Sequence, residues 1–213
     1  GIIAAQLTAA LKLAEQGKRG FGLLFVVGEE RGSDGAHQAN TLDNECEYLV
    51  NGEPTENRIA SGTKGVLRAV LRTKGKTSHS AYPELGESAT EKLLDLLQDL
   101  RTHTWPRNDR LGETTLNIGT LSGGRAGNVV ADRAEAEIMF RIVTPLADMQ
   151  DVFEELVGGR AETEYITELD PVTTYTLDER DSEPVSFATD INHLDNWGCP
   201  LLVGPGSILD AQD

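Results

Sequence analysis

The sequence predicts an α/β domain interrupted by a smaller ferredoxin-like βαββαβ unit, and three observations carry that expectation. Residues 21–27 form a short apolar run bounded by Gly20 and Gly28, the signature of a strand buried on both faces in a parallel sheet covered by helices. Residues 62–170 then read strand, helix, strand, strand, helix, strand, the order of a split βαβ unit. Buried-strand character returns only at residues 200–203, so both flanks are expected to belong to one domain that receives the small one as an insertion. The predicted boundaries are 1–61, 62–170 and 171–213.

Taken in order, residues 1–19 predict a helix that covers the sheet, with Ile3, Leu7, Ala10, Leu11 and Ala14 on one face and Gly17 as its stop. The strand at 20–28 follows and runs into the adjacent carboxylates Glu29 and Glu30. Ligands of open α/β sheets collect beyond the carboxyl ends of strands. Neighbouring residues on an extended chain point opposite ways, so one carboxylate would bind a metal while the other faces its water. Two solvated surface acids are the plainer alternative. Residues 31–46 read as loop or irregular helix, and 47–53 as the next strand, which ends in Asn51-Gly52-Glu53-Pro54-Thr55.

Inside the small unit, Val66, Arg68, Val70 and Arg72 alternate with Leu67, Ala69, Leu71 and Thr73, as on a half-exposed strand. Ser88 and Glu91 form a capping box for a helix with Leu93, Leu94, Leu97 and Leu100 on one face. A loop at Trp105-Pro106 leads to strands at 115–121 and 134–143, the latter with Ala136, Ile138, Phe140 and Ile142 aligned. Thr144 is expected to cap a second helix, with Pro145 at its first position, Leu146, Met149, Val152, Phe153 and Leu156 buried, and Gly158 at its end. Residues 161–169 give the last strand.

Composition narrows the function. The 213 residues carry a formal charge of −16, which argues against nucleic acid and anionic membranes as partners. No apolar run approaches the ~20 residues of a membrane span, and no signal-peptide pattern is present. Cys46 and Cys199 lack any CxxC spacing, so two reduced cysteines in a cytoplasmic protein are expected. The chain opens directly into a helical pattern with Gly1 and stops abruptly at Asp213, as a piece of a longer protein would.

Five motifs occur in order: Gly28-Glu29-Glu30, Gly52-Glu53-Pro54-Thr55, Ser78-His79-Ser80, Gly123-Gly124-Arg125-Ala126-Gly127-Asn128, and Gly204-Pro205-Gly206. Together they resemble the di-zinc amidohydrolase and exopeptidase family of acetylornithine deacetylase, succinyl-diaminopimelate desuccinylase, aminoacylase and glutamate carboxypeptidase, over essentially the whole chain. The resemblance implies a zinc-exopeptidase-like α/β catalytic domain whose inserted ferredoxin-like unit is lid and dimerisation module. It implies Glu29 as general base and Glu30 and Glu53 as ligands to two zincs, or cobalt in their place. It implies His79 as an oxyanion donor reaching across a homodimer, and Asn128, Arg141, Gly204 and Gly206 as substrate contacts. For Arg141 the residues alone allow a cross-strand ion pair with Glu135 or Glu137 instead. His37, His103 and His193 match no motif and are expected to be structural or surface residues.

The sequence also departs from the family. The upstream His-x-Asp pair and bridging Asp are not in this chain, and where the resemblance implies a His closing a zinc shell the sequence reads Ala211-Gln212-Asp213, an alternative alignment placing that His beyond Asp213. Two expectations follow: a metallohydrolase of N-acyl amino acids or small peptides, active as a longer protein and inactive as these 213 residues, or a non-catalytic dimerising module with a degenerate metal site. Acetylornithine deacetylase-like activity leads within the first, and a dipeptidase or carboxypeptidase is second.

Overall fold

The computed structural model describes residues 1–177 and 182–210. In chain order its elements are α1 (Ile2–Glu15), α2 (Asp34–Ala39), β1 (Tyr48–Asn51), β2 (Gly62–Thr63), β3 (Gly65–Lys74) and α3 (Ala89–Thr102). They continue with β4 (Arg107–Asn108), β5 (Gly112–Glu113), β6 (Thr115–Gly123), β7 (Arg133–Ile142), α4 (Leu146–Val157), β8 (Glu162–Leu169), β9 (Val172–Thr173) and β10 (Cys199–Leu202). The chain divides into two compact units, one of residues 1–64, 109–111 and 172–213, the other of residues 65–108 and 112–171.

The second unit is an antiparallel sheet in the order β6-β7-β3-β8 with α3 and α4 packed on one face. That order and connectivity are those of the ferredoxin-like unit. Its core joins Leu67, Ala69 and Leu71 of β3 to Ala136, Ile138, Phe140 and Ile142 of β7 and to both helices. Phe140 and Phe153 meet edge-on at 5.8 Å, a favoured ring geometry. β3 is more buried than its alternation suggests: Val66 and Val70 on its other face are 3% and 8% exposed. A strand flanked by partners on both sides loses solvent that an edge strand keeps.

The helix ends show which caps formed. Ser88 Oγ accepts from the Glu91 amide at 3.2 Å and starts α3, as its sequence implies. The buried face of α3 is Leu93, Leu96, Leu97 and Leu100; Leu94 is instead 52% exposed. For α4 the Thr144 cap is overturned, because Asp170 Oδ1 accepts from the Leu146 amide at 2.8 Å and Thr144 Oγ1 is buried without a partner. Met149, Phe153 and Val157 make its buried face, and Gly158 ends it with φ +55.

In the first unit β1 pairs in parallel with β10, from Tyr48 opposite Cys199 to Asn51 opposite Leu202. The strand expected at 20–28 is corrected. This stretch is extended but has no ladder partner among the described residues, and Phe21, Leu23, Phe25 and Val27 are exposed. Only Leu24 and Val26 pack inward, against Ala36, Ala39 and Leu194. An apolar run reports a tendency to be buried, and the neighbours that would bury it are a separate condition. The same holds for α1, which forms as expected yet buries none of its residues.

Candidate functional site

Gly28, with φ +86, breaks the extended segment and lets its carbonyl accept from the amides of Arg31 and Ser33 at 2.9 and 2.8 Å. Glu29 and Glu30 therefore stand in a single 3-10 turn, Glu29–Arg31, closed by Gly32 at φ +95. The opposite-facing arrangement expected of an extended chain does not occur, because the turn replaces it. Gly35 returns against the segment, where a Cβ would lie 2.5 Å from the Val27 backbone.

Glu53 follows β1 in the same unit. The Gly204-Pro205-Gly206 loop wraps the turn after it: the Gly204 carbonyl accepts from the amides of Thr55 and Asn57 at 3.2 and 2.9 Å, and that of Gly206 from Glu56 at 2.8 Å. A Cβ at Gly204 would lie 2.5 Å from the Glu53 carbonyl, so only glycine fits this approach. At Gly52 a side chain would meet Ile2 and Gln6 of α1.

Electrostatics join Glu29, Glu30 and Glu53 to Asp190, which sequence reasoning missed. Burial, then the charges of Glu29, Asp190 and Glu30, push the Glu53 carboxyl up to about 7, with the Asn51 side chain pulling the other way. Burial, then Glu30 and Asp190, also raise Glu29. Among the described residues the charges that shift these two carboxyls are all acids. Asp190 is 6% exposed and its Oδ1 has no partner among the described residues. Like charges gathered without a cation, with an orphaned buried oxygen beside them, are chemistry that a divalent ion would satisfy. The donors fit such an ion in type and charge but not in number. Among the described residues no three His, Cys, Asp or Glu side chains converge to hold one. Gln212 lies outside the described residues.

His37 and His193, expected to be structural or surface residues, are ring neighbours at 4.2 Å. Burial and then His37 lower the His193 imidazole, with Asp190 opposing. His103 instead stacks edge-on with Trp105 at 4.7 Å.

The remaining predicted residues belong to the second unit. The Ser80 amide donates to the Asn128 carbonyl at 3.0 Å, the Val130 amide donates to Ser78 at 2.9 Å, and His79 bridges Val129. His79 and Asn128 are thereby brought together, both exposed, beside a cleft of about 830 Å³ lined in part by Ser80, Arg125 and Val129. His79 Nδ1 accepts from the Ala81 amide at 3.1 Å, so a neutral ring carries its proton on Nε2 and offers it outward.

Arg141 stands elsewhere. It lies between Val66 and Thr115 at the far end of β7. The ion pairs that sequence allowed it go to others: Glu137 pairs with Arg68 and Glu135 with Arg72, each at 2.6 Å. Burial lowers its pKa, and among the described residues no carboxylate faces it. At ~3.4 Å per residue, the eight steps from Arg133 to Arg141 span roughly 27 Å of β7.

Residues 61–164 match the model of the peptidase dimerisation domain of M20 peptidases. A peptidase M20 domain-containing protein of Schizosaccharomyces pombe is 37% identical over 99% of this chain and 54% of its own length. A protein of Ajellomyces dermatitidis named probable carboxypeptidase is 34% identical over 99% of this chain and 56% of its own. A tripeptidase from Staphylococcus aureus shares the fold, with a TM-score of 0.64 at 21% identity over 84% of this chain and 54% of that one. Residues 61–164 belong to the M20 peptidase dimerisation-domain family, and the chain spans about half the length of the curated relatives it matches.

Proposed function

We propose that the protein hydrolyses the amide bond of small peptides bearing a free carboxylate, as a zinc-dependent M20 enzyme acting in the cytoplasm as a homodimer. The observation that carries this reading is the unneutralised cluster of Glu29, Glu30, Glu53 and Asp190, with Glu53 pushed up to about 7. The names of the relatives, a probable carboxypeptidase and a tripeptidase, favour peptides over the acetylornithine-type N-acyl amino acids that the sequence motifs put first. N-acyl amino acids remain the alternative substrates. A non-catalytic dimerising module remains the alternative role.

Glu30 and Glu53 would each hold one zinc. When bound, such ions supply Lewis acidity and lower the pKa of a coordinated water toward neutrality. The chain supplies the rest. Glu29 takes the proton of the attacking water as the new C–O bond forms, and gives it to the amine nitrogen as the C–N bond breaks. The outward Nε2–H of His79 donates to the oxyanion that develops, and Asn128 offers its amide to a substrate carbonyl. Arg141, half-buried and with no carboxylate partner among the described residues, is suited to the substrate's carboxylate. Gly204 and Gly206 hold the Glu53 turn in place and leave backbone open to the substrate.

The test uses a form of the protein as long as its relatives, loaded with zinc, on a dipeptide and on the matching N-acetyl amino acid. Dipeptide cleavage is expected, and Glu29→Gln should lower kcat by roughly 10²–10⁴-fold with zinc still bound. An unchanged rate in that variant rules out Glu29 as base, and no cleavage of either substrate favours the non-catalytic module.

A further inference from the structure

Two buried polar atoms of the first unit are left without partners, and they are complementary. Among the described residues Asn51 Nδ2 is a donor with no acceptor in bonding geometry, and Asp190 Oδ1 is an acceptor with no donor. Either alone is costly, because it gives up its hydrogen bonds to water and gains none in return. Packing brings both to one place. Asn51 ends β1 opposite Leu202 of β10, and its carbonyl accepts from the Val203 amide at 3.1 Å. Leu202 packs in one cluster with Ile191, the residue after Asp190. Alternation along β1 puts Asn51 on the half-buried face that it shares with Leu49. Leu49 packs against the cluster of Ala36, Ala39 and Leu194, and Leu194 directly follows the turn Asp190–His193. Packing on both strands thus holds the end of β1 against the turn that carries Asp190.

Glu53 lies two residues beyond Asn51 and responds to both groups. Burial, then Glu29, Asp190 and Glu30, push its carboxyl up, whereas the Asn51 amide pulls it down from nearby without completing a bond. A side-chain amide turns its NH2 toward acids, since its carbonyl oxygen would add a repulsion, and the two hydrogens of that NH2 suffice for two carboxylates. The backbone around it has little room to shift. A Cβ on Gly52 would collide with Ile2 and Gln6 of α1, and one on Gly204 would lie 2.5 Å from the Glu53 carbonyl.

We infer that Asn51 is a positioning residue for Glu53: one N–H of its amide holds the Glu53 carboxylate, the other takes Asp190 Oδ1, and the second Glu53 oxygen is left free for a zinc. The inference rests on the zinc reading above and adds to it the residue that orients one of the ligands. An N–H to each carboxylate offsets part of the repulsion between Glu53 and Asp190 and gives both orphaned atoms a partner. Ligating carboxylates are themselves hydrogen-bonded from outside the metal shell, and a carboxylate already held in place loses less freedom when it meets the cation.

The test is zinc affinity, measured by competition with a chromophoric chelator on a metal-free form of the protein as long as its relatives. Urea unfolding of the zinc-free protein checks that each variant folds. Asn51→Leu keeps the size of the side chain and removes the donor. Zinc affinity is expected to fall by roughly 10–100-fold, the loss seen when such an outer partner is removed. The urea midpoint should stay or rise, because an apolar group replaces an unpartnered donor. In a Glu53→Gln background the same change should lower zinc affinity no further, since the amide acts through Glu53. Asn51→Ala gives the same comparison should leucine not fit the site. Unchanged zinc affinity in the folded variants, or an equal loss with and without Glu53, overturns the positioning role and leaves the zinc reading intact. A wild-type protein that takes up no zinc overturns the zinc reading itself.

Discussion

The His37 and His193 rings meet at 4.2 Å although 156 positions separate them in the chain, and their proximity has a measurable consequence. Burial and the second imidazole hold His193 below its usual value of 6.5, while Asp190 pulls the other way. A folded pKa below the unfolded one means that the unfolded chain binds the extra proton first as the pH falls. Stability is therefore lost below about pH 6.5. His193→Gln should flatten this part of the urea-midpoint profile between pH 7.5 and 5.5; identical slopes for variant and wild type would exclude the linkage. At Arg141 the expectation concerns binding. Arg141→Met should raise KM for a peptide with a free carboxylate by roughly 10–100-fold, the worth of a charge-assisted hydrogen bond, and leave the corresponding peptide amide unaffected. Equal effects on both substrates would remove the carboxylate clamp. Glu29, Glu30 and Glu53 are legible in the sequence because each follows a local glycine or proline signal. Asp190 is not: its approach to Glu53 depends on contacts across more than 130 positions, and the only local hint is Thr189, whose hydroxyl accepts from the Ile191 amide.

Elements are legible where their partners lie in the same unit. The alternation of β7 predicts Ala136, Ile138, Phe140 and Ile142 as core, and all four are fully buried. Ser88 caps α3 because an N-cap is a contact over three residues. The cap of α4 comes instead from Asp170, 24 residues away, which no local motif could announce. Asp170→Ala should cost ~1 kcal/mol in denaturant unfolding, in the range of lost helix caps, while Thr144→Val should be neutral or stabilising because its hydroxyl is buried without a partner. The reverse order would restore Thr144 as the cap. Residues 20–28 illustrate the other limit. Their apolar character is plain in the sequence, but a strand is defined by its neighbours, and among the described residues it has none. The exposed Leu94 is a smaller case of the same kind, since four leucines at helical spacing do not reveal which one is left in solvent.

At the scale of the whole molecule, the chain carries a complete ferredoxin-like unit and an incomplete acid site. It spans about half the length of its curated relatives. The family is readable in the order of the five motifs, because order along the chain is specific where each motif alone is too short to be. From the sequence, two glutamates are too few to close a zinc shell. The most direct measurement is zinc content by elemental analysis after metal-free dialysis and reconstitution, on this chain and on a form as long as its relatives. About two zincs per chain are expected in the longer form, fewer in its Glu30→Gln and Glu53→Gln variants, and none held by the 213 residues alone. A longer form that remains metal-free after reconstitution would contradict the hydrolase reading.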